Sequence, residues 1–234
     1  MSRVSLLLLV AALTIAVSAG AQQPSSAGPS AAPVADAGVA APAGPRTFVI
    51  NAGKSQLVIQ VFKDGAAAAL AHDHTVHATE LAGEIVADQA TPSASKVNIT
   101  AQTKSLINDD PQVRKQFGLD PAMPEKDRIS VNESMKGEDQ LHVSKYPTIT
   151  FSSTSVETSA DGKITLVGDF TLRGVTKKLK LPIRVKVVGD TVVGDGKVRF
   201  KQSDWGMEPY SAFLGAVRNK DEVVLNVHLE ATAK

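Results

Sequence analysis

From Arg46 onward, hydrophobic residues recur at every second position of the chain. This period gives a segment one apolar and one polar face, which is typical of β-strands that are buried on one side. Turn signals such as Asp161-Gly162 and Arg173-Gly174 separate the segments. The pattern therefore predicts about eight or nine short strands. The alternating apolar positions are Leu57, Ile59 and Val61; Val97, Ile99 and Ala101; Ile164, Leu166, Phe170 and Leu172; Leu179, Leu181, Ile183, Val185 and Val187; Val198 and Phe200; and Val223, Leu225, Val227 and Leu229.

Two segments depart from simple alternation. Between Pro124 and Gly137, a proline at the start and a glycine at the end predict one helix, with a modest apolar side formed by Ile129, Val131 and Met135. Pro182 interrupts a strand pattern, and because proline has no N–H to donate, we expect it at an edge or a bulge.

Many short alternating strands predict an all-β fold, either a sandwich or a closed barrel. An antiparallel barrel of about eight strands holds either its own side chains or one small ligand. The apolar positions here are mostly Leu, Ile and Val, and aromatic residues make up 4% of the chain. This composition is compatible with a narrow apolar cavity and equally with a packed core, so both interpretations stay open.

The N-terminal residues have a different composition from the rest. Arg3 precedes an apolar run over residues 4–17 and the small residues Ala19-Gly20-Ala21, which together predict a cleavable signal peptide over residues 1–21. The alternative is a membrane anchor, but the run is shorter than the roughly 20 apolar residues that a spanning helix needs. We therefore expect export to the periplasm and no membrane span after cleavage.

Residues 22–45 consist almost entirely of Ala, Pro, Ser and Gly, and their prolines preclude a continuous helix. We interpret this stretch as a disordered linker. The folded domain is then residues 46–234. The sequence sets no oligomeric state, and a dimer is compatible with it.

Composition excludes several classes of function. The 234 residues carry a net charge of +1, so no electrostatic feature predicts a nucleic-acid partner. The absence of cysteine excludes disulfides, thiolate metal sites and a cysteine nucleophile. No Gly-x-Ser-x-Gly turn, phosphate-binding loop or dinucleotide fingerprint occurs in the chain. We therefore predict a protein that is not an enzyme.

Three histidines, His72, His74 and His77, lie within six residues. In a strand, His72 and His74 would share one face and His77 would point to the other. Three interpretations remain: a structural role, contact with a ligand's polar head, or half of a zinc or copper site. A metal would need a third ligand from elsewhere, such as Glu80, His142 or His228.

Trp205, the chain's single tryptophan, lies in the segment of residues 203–210, SDWGMEPY. We interpret the segment either as a bulged strand end in which Trp205 plugs the barrel, or as a loop that closes on a ligand.

Two blocks carry a resemblance to a known family. Residues 142–151, HVSKYPTITF, resemble its Lys-Tyr-Pro-x-x-x-Phe segment, and residues 168–177, GDFTLRGVTK, resemble its Gly-x-Leu-Thr-Leu-x-Gly-Val-Thr-Lys hairpin. Their spacing also matches, and Val97-Asn98-Ile99 followed by a helical insert fits the family's preceding strand. From about Phe48 to Ala231 the chain thus resembles the YceI-like family of polyisoprenoid-binding, lipocalin-like periplasmic proteins.

The resemblance implies an eight-stranded lipocalin-like barrel that encloses a long-chain isoprenoid or quinone-like lipid, with no established catalytic residues. It implies no cofactor apart from such a bound isoprenoid quinone or polyprenol. The chain departs from the common pattern at residues 63–77, which carry a His-x-His pair, and at residues 109–135, where the helical connection is longer. We therefore do not transfer the residues that bind the ligand head group in other family members to these two regions.

The ligand-binding residues that we expect from the alternation and the resemblance together are Leu57, Ile59, Val61, Val97, Ile99, Phe151, Leu166, Phe170, Leu181, Ile183, Val185, Phe200 and Trp205, with His72 and His74 at the head group.

Overall fold

The computed structural model describes residues 44–234. The predicted signal peptide (residues 1–21) and all but the last two residues of the predicted linker (residues 22–45) lie outside the described residues. The described strands are β1 (Arg46–Ile50), β2 (Gln56–Asp64), β3 (His74–Ala78), β4 (Leu81–Ala87), β5 (Lys96–Gln102), β6 (Leu106–Asn108), β7 (Thr148–Thr158), β8 (Ile164–Leu172), β9 (Val175–Val188), β10 (Thr191–Lys201), β11 (Ser211–Ala212) and β12 (Val217–Ala233). The α-helices are α1 (Pro111–Gln116) and α2 (Glu125–Lys136).

Eight strands close an antiparallel barrel, which confirms the predicted fold. Around the ring the order is β1, β4, β5, β7, β8, β9, β10 and β12, and β12 pairs with β1 to close it. The long β12 pairs through its C-terminal residues with β1 and through its earlier residues with β2. β2, β3 and β6 pair in that order beyond β12 and lengthen one side of the barrel.

The predicted helix is confirmed as α2, which begins after Pro124 and ends before Gly137. The second helix, α1, was not predicted. The Asp110 carboxylate caps it by accepting hydrogen bonds from the backbone N–H groups of Gln112 (2.8 Å) and Val113 (3.2 Å), and Pro111 occupies its first turn. Six residues are too few to show a helical period, so this cap and proline were the available signals.

Pro182 lies where a strand ladder ends, as its missing N–H predicted. β9 pairs with β8 from Val175 to Ile183, but it pairs with β10 only from Ile183 to Val188. The regular pairing between β9 and β10 therefore ends beside Pro182.

Phe151 on β7 fills the space above Gly168 on β8. A Cβ at Gly168 would lie 2.6 Å from the Phe151 ring and 2.6 Å from the Ser152 carbonyl oxygen. Gly168 has the parity of the inward residues Leu166 and Phe170, so the missing side chain makes room for an aromatic ring inside the barrel.

Candidate functional site: cavities along the barrel interior

An apolar cavity of about 430 Å³ occupies one part of the barrel. Its polar lining residues are Asp88, Gln89, Ser95 and Thr150, and the first three lie in the connection between β4 and β5. The remaining lining is apolar or glycine, so this connection forms the polar rim of an otherwise apolar cavity. Nine of the predicted residues line this apolar cavity: Leu57, Val97, Ile99, Phe151, Leu166, Phe170, Leu181, Ile183 and Val185.

A middle cavity of about 150 Å³ adjoins the apolar cavity. Leu57 and Phe170 line both, whereas Ile59, Val61 and Phe200 line the middle cavity. The apolar faces of the strands therefore border cavities, which favours the hollow interpretation over the packed core.

A polar pocket of about 180 Å³ follows the middle cavity. Val61 and Met135 line both spaces. The pocket has eight polar lining residues: His74, Asn108, Ser130, Ser134, Gln140, Gln202, Tyr210 and Asn219. In the described part of the chain, no Lys, Arg, Asp or Glu contributes to this lining.

The three spaces follow one another along β2. Leu57 lines the apolar and middle cavities, Ile59 the middle cavity, and Val61 the middle cavity and the polar pocket. Because alternate residues of a strand lie about 6.6 Å apart along its axis, the spaces are arranged in series rather than side by side. The interior therefore changes from apolar to polar in one direction.

His74, the first residue of β3, is held in the polar pocket by a buried carboxylate. Its ring Nδ1 donates to Asp109 Oδ2 at 2.5 Å, and Arg114 Nη1 donates to Asp109 Oδ1 at 2.5 Å. The Thr75 N–H (3.1 Å) and the Asn108 side-chain amide (2.6 Å) donate to the same carboxylate. With Nδ1 engaged, Nε2 is the remaining polar atom of the ring.

Burial of Asp109 raises the pKa of its carboxyl, but the hydrogen bonds from His74, Arg114 and the Thr75 N–H outweigh this effect and hold the pKa below its usual value. Asp109 is fully buried and has a left-handed backbone (φ 53°), which is uncommon for a residue with a side chain. Four donors on one carboxylate explain why the fold tolerates this conformation.

The prediction that His72 and His74 share one strand face is wrong. β3 begins only at His74, and His72 lies before it with an exposed side chain. His72 lines none of the three spaces, and among residues 44–234 no group of three or more His, Asp or Glu side chains is arranged to hold a metal ion. The zinc or copper hypothesis therefore has no third ligand in the described structure.

Trp205 is likewise absent from the walls of these three spaces. It is buried in a 3-10 turn over Gln202–Trp205, where its ring packs edge-on against Phe170 and Phe200 at centroid distances of 5.4 and 4.9 Å. The indole N–H donates to the Phe170 carbonyl oxygen at 3.2 Å. The interpretation of Trp205 as a plug fits these contacts, and its assignment as a ligand-lining residue does not.

Several lining residues were not predicted from the sequence. Gly194 lines the apolar cavity, and a Cβ placed there would meet no atom within 4 Å. Met135, Gln140 and Tyr210 line the polar pocket from α2 and from irregular segments. Gly194 has the inward parity of Val192 and Val198 and could have been found that way, whereas irregular segments carry no such period.

Along the three spaces, the lining changes from apolar side chains to hydroxyls and amides. An elongated molecule with a hydrocarbon tail and a polar end would match the cavities in both shape and polarity. The fold and these cavities define a closed lipocalin-like barrel with a hollow, amphipathic interior. No helix in the described residues is both long and apolar enough to cross a bilayer.

The chain belongs to the YceI-like family, because the family model for the YceI-like domain matches residues 48–231. Its relatives include a UPF0312 protein of Shewanella oneidensis, 31% identical over an alignment of 135 residues that covers 55% of this chain and 61% of that protein. A UPF0312 protein of Ectopseudomonas mendocina is 34% identical over 115 residues, which are 49% of this chain and 47% of that protein. The chain thus matches about half to three fifths of their lengths.

Solved structures show the same fold. Burkholderia cenocepacia BcnA superposes with a TM-score of 0.58 at 19% identity, covering 78% of this chain and 99% of BcnA. The Campylobacter jejuni YceI protein superposes with a TM-score of 0.51 at 19% identity, covering 68% of this chain and 84% of that protein.

Proposed function

We propose that the protein is a periplasmic carrier that binds one long-chain isoprenoid or quinone-like lipid inside its barrel. The observation that carries this proposal is the series of three spaces along β2, which runs from an apolar cavity to a polar pocket. A tail would occupy the apolar cavity, and a head group would meet the hydroxyls and amides of the pocket.

The polar pocket favours an uncharged head group. Its described lining has no Lys, Arg, Asp or Glu, whereas a diphosphate would meet several Lys or Arg residues. A quinone carbonyl or an alcohol needs only single hydrogen bonds. The Tyr210 hydroxyl and the side-chain amides can donate to a carbonyl, and His74 Nε2, left free by the Nδ1–Asp109 hydrogen bond, can accept from an alcohol.

Tail burial supplies the affinity. Each buried CH₂ group contributes about 0.8 kcal/mol. Several isoprene units therefore offset ordering costs of several kcal/mol and still give a dissociation constant of about 1 μM or lower. No catalytic group is needed for this activity.

The periplasmic location rests on the composition of residues 1–21. Sequencing the N-terminus of the mature protein tests it, and Gln22 is the expected first residue. A terminus at Met1 on membrane-embedded protein would contradict it.

Gly194→Leu tests the carrier function, because Gly194 faces the apolar cavity with no atom near its Cβ position. A leucine there would have no atom near its Cβ and would extend into the volume that a tail would occupy. We expect the variant to fold with unchanged or higher stability and to lose at least tenfold in affinity for a long-chain ubiquinone. Native mass spectrometry followed by organic extraction measures the bound lipid.

Val193→Leu is the matched control, since Val193 has the opposite parity on β10 and lies on the outer face. It should retain the lipid. If native spectra of gently purified wild-type protein show no bound organic molecule, and added ubiquinone does not bind, the barrel is a structural module and the carrier function is wrong.

A further inference from the structure

Two neighbouring uncharged loops of the protein expose large apolar side chains. Residues 65–71 have the sequence GAAAALA, and residues 209–217 have the sequence PYSAFLGAV. Leu70, Phe213 and Leu214 are 80%, 82% and 110% exposed. We call these three residues the apolar tip. Soluble domains expose single apolar residues often, but adjacent large ones usually mark an interaction site.

The two loops are fixed against each other. The Ala67 N–H donates to the Ala216 carbonyl oxygen at 2.8 Å. A Cβ at Gly65 would lie only 2.4 Å from that oxygen, and Gly65 has a left-handed backbone (φ 97°), so both the approach and the conformation require glycine. The three residues of the apolar tip therefore lie on two loops that are in contact with each other.

The backbone of the second loop is in an unfavourable conformation. Phe213 and Leu214 both have positive φ angles (50° and 55°), and Gly215 follows with 87°. Left-handed backbone is costly for bulky residues and persists where the surroundings enforce it, often at functional sites. Here it holds Phe213 and Leu214 in solvent, where they gain no burial within the protein.

The tip lies at the polar end of the barrel interior. Tyr210, in the same loop as Phe213, lines the polar pocket. The other loop follows β2, whose residue Val61 lines the same pocket three residues before the strand ends at Asp64. The tip is thus joined by short stretches of chain to the space where the proposed head group would lie.

We propose that the apolar tip inserts into the surface of a lipid bilayer, so that a lipid passes between the bilayer and the barrel beside the polar pocket. Insertion of Phe and Leu side chains into the headgroup boundary is a common mode of peripheral membrane binding. The transfer step rests on the proposed carrier function, but the insertion step does not.

The size of the tip favours a bilayer over a second copy of the chain. Three large side chains expose roughly 500 Å², less than the roughly 800 Å² per partner that a stable protein interface buries. The charges that flank the loops include Lys63, Asp64 and Arg218, and the last two form an ion pair at 2.9 Å. Because these charges have both signs, insertion depends on apolar burial and only weakly on anionic lipid.

A double substitution, Phe213→Ser with Leu214→Ser, tests insertion. Its effect is measured by co-sedimentation of the delipidated protein with vesicles of phosphatidylethanolamine and phosphatidylglycerol, and with vesicles of phosphatidylcholine. We expect the bound fraction to fall at least tenfold with both vesicle types, since each side chain contributes more than about 1.4 kcal/mol of burial. Val49→Ser with Val188→Ser, which removes exposed apolar side chains elsewhere on the surface, should bind vesicles like the wild type.

Uptake of a long-chain ubiquinone distinguishes the tip from the cavity. The tip variant should take up ubiquinone from vesicles at least tenfold more slowly than the wild type, but bind it with unchanged affinity when it is delivered from ethanol. Equal vesicle binding by the wild type and the tip variant overturns the insertion proposal. A second outcome also overturns it: neither protein binds vesicles, and the wild type forms a dimer that the tip variant does not form. Vesicle binding without uptake from either source overturns the carrier function and leaves insertion standing.

Discussion

Among single residues, two histidine–aspartate pairs differ in burial and in the other partners of the carboxylate. His74 and Asp109 form a pair in which the carboxylate is fully buried, whereas His228 and Asp195 pair at 2.7 Å with both side chains about half exposed. Buried charges without partners are costly, but exposed pairs contribute little. The same chemistry is therefore expected to have different consequences at the two places.

Asp109→Asn should destabilise the fold by about 3–5 kcal/mol, because it removes the charge that compensates the buried guanidinium of Arg114. Asp195→Asn, the exposed counterpart, should cost less than about 1 kcal/mol. Urea unfolding at neutral pH measures both. Equal losses for the two variants would contradict the assigned role of Asp109.

The lowered pKa of Asp109 also predicts a pH dependence. Its stabilisation is fully present above the unfolded carboxyl pKa of about 3.9 and is lost as the pH falls through the lower folded value. Wild-type protein should therefore lose more stability than Asp109→Asn as the pH is lowered from neutral through this range. Parallel pH profiles would show that the carboxylate is not held in its charged form.

Among strands and helices, alternation predicted strands with one buried face but left a sandwich and a barrel open, and the resemblance to the YceI-like family favoured the barrel. Thirteen of the fifteen predicted ligand-binding residues line the three spaces; the exceptions are His72 and Trp205. Periodicity could not show that β3 begins at His74, since one or two residues at a strand end carry no period. Nor could it place Trp205, which lies in a 3-10 turn.

The polar pocket was harder to predict than the apolar cavity. Its lining comes from α2, from β3 and β6, and from irregular segments after β10, which are far apart in sequence. The Asp109 carboxylate that positions His74 is 35 residues away from it along the chain. Such long-range side-chain pairing leaves no local pattern, whereas strand burial does.

The β7–β8 pair depends on Gly168, and a matched pair of alanine substitutions tests this. Gly168→Ala places a methyl group 2.6 Å from the Phe151 ring and should cost about 1–3 kcal/mol through overpacking. Gly194→Ala meets no atom within 4 Å and should stabilise the protein by about 0.4–1 kcal/mol, since it restricts the unfolded chain. Thermal unfolding of both variants measures the difference. If they behave alike, the close approach of Phe151 does not constrain β8.

For the protein as a whole, a hollow barrel lacks side-chain contacts that a filled core would provide. The wall around the apolar cavity includes side chains such as Leu166, Leu181 and Val192, which are buried from solvent and line the cavity. Such walls lose dispersion contacts. A bound tail would restore them, so the stability of the protein should depend on its ligand.

Delipidated protein is therefore expected to melt at a lower temperature than protein saturated with a long-chain ubiquinone. A ligand at 100 times its dissociation constant stabilises the native state by about 2.7 kcal/mol. For a domain of this size, that corresponds to about 5–10 °C in melting temperature. Calorimetry before delipidation, after delipidation and after readdition of ubiquinone measures the shift.

Val61→Phe and Ile183→Trp separate a hollow interior from a filled one. In the hollow barrel, the added bulk enters the middle cavity or the apolar cavity, so both variants should fold and lose the ubiquinone-dependent shift. In a filled core, the same changes would overpack it and cost about 1–3 kcal/mol. If delipidation leaves the melting temperature unchanged and both variants unfold, the barrel is packed in solution and does not carry a lipid.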